Sequence, residues 1–252
     1  MKSESKSTYI IGRQPVLEAM NAGKQLDRIY IQKNIGGDII FEIRDAAQAH
    51  QVPVNVVPPE KLNSITRANH QGVIAVAGLV KYMDLQQVID HILEQGETPL
   101  FIMLDGITDV RNIGGIARSA LCSGAQAIII PDKGVGAINE EAIKSSAGAL
   151  HNIHICREGS LLKAIDTLHL NGIRVLTAEM KSDRNFFDMP WDEPCCIIMG
   201  SEDKGIQSFL SKAADESFTI PMSGKFDSFN VSVAAGILLY EAFRQRHFKA
   251  GS

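Results

Sequence analysis

Long apolar runs are missing from this 252-residue chain. The longest are about five residues, such as Leu100 to Leu104, against the ~20 that a membrane-crossing helix needs. The opening MKSESKSTY has no apolar segment of the signal-peptide kind. Residues 1–8 are expected to be a disordered tail, and the cytoplasm is the expected compartment. Cysteine is scarce. Cys122, Cys156, Cys195 and Cys196 form no C-x-x-C pair and have no histidine at zinc-ligand spacing, so no metal site is expected. Cys195 and Cys196 fall in the run CCIIM and read as buried thiols. Neither charge sign dominates: 25 Lys+Arg stand against 29 Asp+Glu, net −4. A chain that grips phosphate over its whole surface should be basic. Residues 1–80 carry nine basic and seven acidic side chains, so a local basic patch remains open.

The familiar glycine signatures are missing too. Gly134-Val135-Gly136 lacks the third glycine of a dinucleotide fingerprint, GSEDKGIQ is not a phosphate-cradling P-loop, and no G-x-S-x-G occurs. These absences speak against nicotinamide enzymes, P-loop NTPases and α/β-hydrolases.

Present instead is an α/β rhythm. Hydrophobic residues make up 45% of the chain, enough for a sizeable core. Residues 9–80 read as a small α/β domain. Its helices are expected at 13–22 and 39–50, with Pro15 near the first turn, and its strands at 28–32, 54–57 and 73–79. The turn Asn69-His70-Gln71-Gly72 precedes its last strand, as a plain loop or as a substrate contact. Residues 81–98, with a helix near Leu85–Glu94, read as a linker. From residue 99 to the end, short apolar strands alternate with helices. Strands are expected at 100–105, 127–131, 153–156, 173–178, 195–200 and 218–220, which implies a mostly parallel sheet covered on both faces. Ligands bind such sheets at the carboxyl ends of the strands.

Three strand ends stand out there. The first is LDGITDVRNIGGIARSA, with Asn112 and, about one and a half turns into an expected helix, Arg118 able to point back to the crevice. The second is IMGSEDKGIQ, with Gly200 and Glu202. The third runs from Phe218 through Pro221 to a helix opening at about Asn230. There Val231, Ala234, Ala235, Leu238, Leu239 and Ala242 repeat at helical spacing, Ser228 or Asn230 suits the N-cap, and Arg244, Arg246 and His247 complement the helix dipole.

Together these stretches resemble the SPOUT superfamily, in particular its SpoU/TrmH branch of RNA ribose 2′-O-methyltransferases. The matching elements are N-x-G-x-x-x-R at Asn112–Arg118, G-[SA]-E at Gly200–Glu202 and I-P-M…S-x-N-V-S-V-A at Ile220–Ala234. Gly12-Arg13…Val16-Leu17-Glu18-Ala19 and His70-Gln71-Gly72-Val73-Ile74-Ala75 resemble the substrate-binding domain of the bacterial enzymes that methylate a guanosine of 23S rRNA.

The resemblance implies a trefoil-knotted catalytic domain behind a small α/β substrate-binding domain. It also implies a homodimer with its active site near the interface, and S-adenosyl-L-methionine as cofactor. Thr177, Ala178, Met199, Gly200, Ile220, Met222 and Phe229 are the implied cofactor residues, although Met199 and Ile220 also suit plain core packing. Arg118 would clamp RNA phosphate and ribose. Glu202, Ser228 and Asn230 would fix Arg118 and the loop, and Asn112 would brace its turn. Arg13, His70, Gln71 and Arg111 are candidates for RNA contact or ordinary solvated side chains; no DNA or membrane partner is expected. Val110 replaces a common proline and should loosen the turn before Asn112, while Phe229 puts a larger side chain than leucine beside the cofactor. A tRNA-modifying or antibiotic-resistance relative, or a non-catalytic RNA-binding assembly factor, would share much of this pattern.

Overall fold

A computed structural model describes residues 9–136, 138–180, 182–201, 203–224 and 228–248. The expected tail at 1–8 and the candidate Glu202 lie outside the described residues. The chain divides into two compact units between Lys81 and Tyr82.

The first unit runs β1 (Tyr9–Ile11), α1 (Arg13–Asn21), β2 (Leu26–Gln32), α2 (Asp38–Ala49), β3 (Val54–Val57), α3 (Pro59–Ile65) and β4 (Val73–Ala77). Its sheet has the order β1-β4-β2-β3, with β4 antiparallel to β1 and β2. Alternating side chains of β2, among them Ile29 and Ile31, are buried against Val16 and Met20 of α1 and Ile40 and Ile43 of α2. Because β4 runs against its neighbours, the turn before it sits at the same edge as the loop after β1. Gly12 N–H donates to Val73 O at 3.0 Å there, and Gln32 N–H donates to Gly72 O at 2.8 Å.

The second unit contains β5 (Tyr82–Met83), α4 (Leu85–Glu94), β6 (Leu100–Leu104), α5 (Val110–Cys122), β7 (Ala127–Pro131), α6 (Glu140–Ser145), β8 (His154–Glu158), α7 (Leu161–Leu170), β9 (Arg174–Ala178), β10 (Cys195–Met199), α8 (Ser208–Ala213), β11 (Glu216–Phe218) and α9 (Val231–His247). Seven strands form one sheet in the order β11-β9-β10-β6-β7-β8-β5, every pair parallel. Strand β6 is central: the chain builds outward to β7 and β8 on one side, then crosses to β9 and β10 on the other. The β6/β10 boundary is therefore the topological switch point, where a crevice opens beyond the strand ends. Among the described residues, no helix is long and apolar enough to cross a membrane.

The expected linker at 81–98 is corrected by this sheet. Strand β5 pairs with β8, and Leu85, Val88, Ile89 and Ile92 of α4 are buried in the same core as Phe101, Met103 and Ile129. Each such side chain contributes roughly 1.5–3 kcal/mol of apolar burial, which ties the segment to the second unit. The last strand is also shifted. It ends at Phe218 rather than Ile220 because Thr219 turns to another partner: its N–H donates to Arg184 O, and Phe186 N–H donates to Thr219 O, both at 2.9 Å. Cys156, Cys195 and Cys196 are buried, and burial pushes the Cys156 thiol up to about 12 and the Cys195 thiol up to about 11. Cys122 is exposed.

Candidate functional site

The crevice at the switch point is built by loops after β6 and β10. Asp105 follows the five apolar residues of β6 and is only 2% exposed. Its Oδ2 accepts Gln207 N–H at 2.7 Å and its Oδ1 accepts Gln207 Nε2 at 2.6 Å. A buried carboxylate satisfied in this way staples the two loops together. Sequence reasoning missed Asp105 as a site residue. The available signal was a lone acid at the end of an all-apolar strand.

Helix α5 then begins at Val110, not Ile113, because Asp109 caps it by accepting Arg111 N–H at 2.8 Å. The Arg111 guanidinium folds back onto the same carboxylate at 2.8 Å and holds its carboxyl below the usual range. This cap fixes the turn that Val110 was expected to loosen. At the other end of the chain Asn230 is the N-cap of α9, its Oδ1 accepting Ser232 N–H at 3.0 Å and Ser232 Oγ–H at 2.6 Å. The remaining half of that amide, Nδ2, donates to Asn112 Oδ1 at 3.1 Å. The two helices approach closely because small residues line the seam, Gly115 against Ser232 and Gly236 against Ser119.

Two clefts open around these loops. One, of about 290 Å³, is lined by Ala178 and Glu179 at the end of β9, Met199, Gly200, Ser201 and Asp203–Gly205 at and after the end of β10, and Ile220, Met222, Ser228 and Phe229 from the last loop. The other, of about 500 Å³, is lined by Asp105–Asp109, Asn112, Gly134, Gln207 and the same Ser201 and Asp203–Gly205. They share Ser201, Asp203, Lys204, Gly205 and Val231. The smaller cleft suits an adenosyl group: its walls are mostly apolar, and Gly200 leaves its floor open to the backbone. A Cβ at Gly200 would fall on the backbone of Gly205 and Ile206.

Six of the seven candidate cofactor residues line that cleft, together with Ser228. Thr177 does not. It is fully buried, its hydroxyl directed to Glu179 Oε1 at 3.2 Å and Glu216 O at 3.4 Å. Of the residues of β9, Ala178 reaches the cleft, while Thr177 lies beneath it. Arg118 stands apart from these residues on its own chain. With α5 starting at Val110, it stands about 12 Å along the helix from the first residue, exposed, and lines neither cleft.

In the first unit, Arg13 and Gln71 meet: Arg13 Nε donates to Gln71 O at 2.9 Å. Gln71 holds φ 50°, which an L side chain rarely adopts. His70 braces this turn with both ring nitrogens, Nδ1 accepting Gly72 N–H and Nε2 facing Asn63 Oδ1, each at 3.0 Å.

Comparison with known proteins matches this layout. Residues 99–240 match the SpoU rRNA Methylase family, and residues 9–83 match the domain described as RNA 2′-O ribose methyltransferase substrate binding. The Staphylococcus haemolyticus protein named "Putative TrmH family tRNA/rRNA methyltransferase" is 35% identical over 94% of this chain and 96% of its own length. A Staphylococcus aureus protein of the same name is 34% identical over 96% and 98%. Among solved structures, the SpoU methyltransferase AviRb from Streptomyces viridochromogenes in complex with the cofactor AdoMet superposes with a TM-score of 0.61, at 23% identity, covering 94% of this chain and 90% of that one. The chain belongs to the SpoU rRNA methylase family and is an S-adenosylmethionine-dependent RNA methyltransferase.

Proposed function

We propose that the protein methylates the ribose 2′-hydroxyl of a guanosine in 23S rRNA, in the cytoplasm and as a homodimer. The observation that carries the reading is the wall shared by the two clefts: a cofactor seated among Ala178, Met199, Ile220 and Met222 lies one loop away from a polar cleft of a size for an RNA sugar. When bound, S-adenosylmethionine supplies an electrophilic methyl group on a sulfonium sulfur. The chain's own residues must hold the sugar oxygen in line with it. Asn112 and Asn230 fix the turn beside the acceptor cleft, Ser228 lines the cofactor cleft, and Glu202 completes the proposed catalytic set. Arg118 stays protonated up to a pKa above ~12 and suits a phosphate clamp rather than a proton acceptor.

Because Arg118 is exposed on its own chain, the reading has it acting across a dimer interface. Support for dimerisation comes from α9, where Val233 and Tyr240 are 50% and 63% exposed, an apolar stripe of the kind that marks an association surface. The reading includes a trefoil-knotted catalytic domain, in which α9, the element after β11, packs against α5. Arg13 and Gln71 would contact RNA, with His70 holding their turn.

The relatives are named for tRNA as well as rRNA, so tRNA is the competing acceptor. Incubating the full chain with methyl-labelled S-adenosylmethionine and, separately, 23S rRNA, 16S rRNA and tRNA should label a guanosine of 23S rRNA, as an alkali-resistant dinucleotide. Label in tRNA alone, or on a base, would refute the reading.

A further inference from the structure

Among the acids of the cofactor cleft, Glu179 belongs to no motif of the sequence. Glu179 follows β9 directly, half-buried among apolar lining residues. Its backbone N–H donates to Phe218 O at 2.9 Å, so the residue is fixed in the ladder between β9 and β11. One carboxylate oxygen, Oε1, accepts the hydroxyl of Thr177 from below at 3.2 Å. The other, Oε2, has no partner among the described residues. A carboxylate oriented by a buried hydroxyl and set against an apolar slot calls for donors from a ligand.

We infer that Glu179 receives the ribose diol of the cofactor, a deepening that rests on the cofactor reading above. The sheet order decides between the two ends of that ligand. Methyl transfer has to occur where the two clefts meet, at Ser201 and Asp203–Gly205 beside β10 and β6. Strand β9 lies on the far side of β10 from β6, so its end is about two strand spacings, ~10 Å, from β6. Sulfur and amino acid therefore belong near the junction, where Asp203 and Lys204 supply polar partners. Adenosine belongs towards β9. A carboxylate beside an adenine slot accepts both hydroxyls of a cis-diol, as acids do in dinucleotide sites on other parallel sheets.

Calorimetric titration of the full chain tests this with three probes: S-adenosylhomocysteine, its 2′,3′-dideoxy analogue, and 5′-methylthioadenosine, which keeps the diol but has no amino acid. Glu179→Ala and the isosteric Glu179→Gln should each raise the Kd for S-adenosylhomocysteine and for methylthioadenosine about tenfold or more. The dideoxy analogue should bind wild type and both variants alike. Matching melting temperatures would establish that the variants fold. Unchanged Kd in both variants overturns the inference, as does a loss confined to S-adenosylhomocysteine, which would assign the carboxylate to the amino group. Wild-type protein that bound none of the probes would overturn the cofactor reading itself, whereas tight wild-type binding unaffected by Glu179→Ala overturns only this step.

Discussion

Asn230 donates its side-chain N–H to Asn112 Oδ1 at 3.1 Å, across 118 residues of sequence. The same amide caps α9 through its oxygen. One side chain therefore couples the start of the last helix to the first turn of α5, at the acceptor cleft.

Replacing that amide by a carboxylate separates the two jobs. Asn230→Asp keeps an oxygen for the cap, which is as good or better at a helix N-terminus, but has no N–H for Asn112. It should melt within a few degrees of wild type and turn over at least about tenfold more slowly. Asn230→Ala should lose the cap as well, at about 1 kcal/mol. A cycle with Asn112→Ala should give a coupling of roughly 0.5–3 kcal/mol in turnover. Wild-type turnover in Asn230→Asp would sink the proposed role.

Gly200 supports a second expectation. Gly205 pairs back onto Ser201, its N–H donating to Ser201 O at 2.9 Å, so a methyl group on Gly200 has nowhere to go except into the backbone of Gly205 and Ile206. Gly200→Ala should abolish S-adenosylmethionine binding measured by calorimetry. Gly36→Ala, at a position with open space around its missing Cβ, should leave binding unchanged and serves as control. Equal affinity in both variants would mean that the turn relaxes freely and does not shape the cleft.

Much of this was legible in the sequence, for local reasons. The all-apolar strands announced a parallel sheet, and Ser228 or Asn230 announced the cap of the last helix, which Asn230 supplies. What stayed hidden depends on distant partners. Residues 81–98 looked like a linker because a two-residue strand has no pattern, and only pairing with β8 gives β5 a place. Thr177 looked like a cofactor contact, but alternation along β9 turns its side chain into the interior while Ala178 faces the cleft. Arg118 was placed by an assumed helix start, and the Asp109 cap moved that start by three residues. Asp105 and Glu179 carry no motif; their meaning comes from Gln207 and Thr177, which folding brings to them.

Arg246 stands in the last turn of α9, as expected of a residue that complements the helix dipole, and it also holds the chain together. Its guanidinium donates to the carbonyls of Thr98, Pro99, Trp191 and Glu193 at 2.7–2.9 Å, where burial lowers its pKa without deprotonating it. These carbonyls belong to the segments entering β6 and β10. Arg246→Ala should cost about 2–4 kcal/mol, since charged hydrogen bonds are lost and carbonyls are left poorly satisfied. For a chain of this size that lowers the melting temperature by about 5–10 °C. Arg246→Lys should recover only part, because an ammonium lacks the planar fork. A drop under about 2 °C in Arg246→Ala would show that water replaces the guanidinium without loss.

Glu158, at the end of β8, gives the pH dependence a definite sign. Burial first, then the nearby charges of Asp84 and Asp132, raise its carboxyl from 4.5 to about 6. The folded protein therefore binds this proton more tightly than the unfolded chain. Its contribution to stability is complete below about 4.5 and is lost as pH rises through about 6. At pH 7.5 the ionised side chain should destabilise the fold by about 1 kcal/mol, roughly half the value for a fully buried group because solvent still reaches it. Glu158→Gln should accordingly melt a few degrees above wild type at pH 7.5, and the two melting curves should converge as pH falls towards 4.5. A variant less stable than wild type at pH 7.5 would mean that the ionised carboxylate has a favourable partner, and would reverse the sign assigned to it.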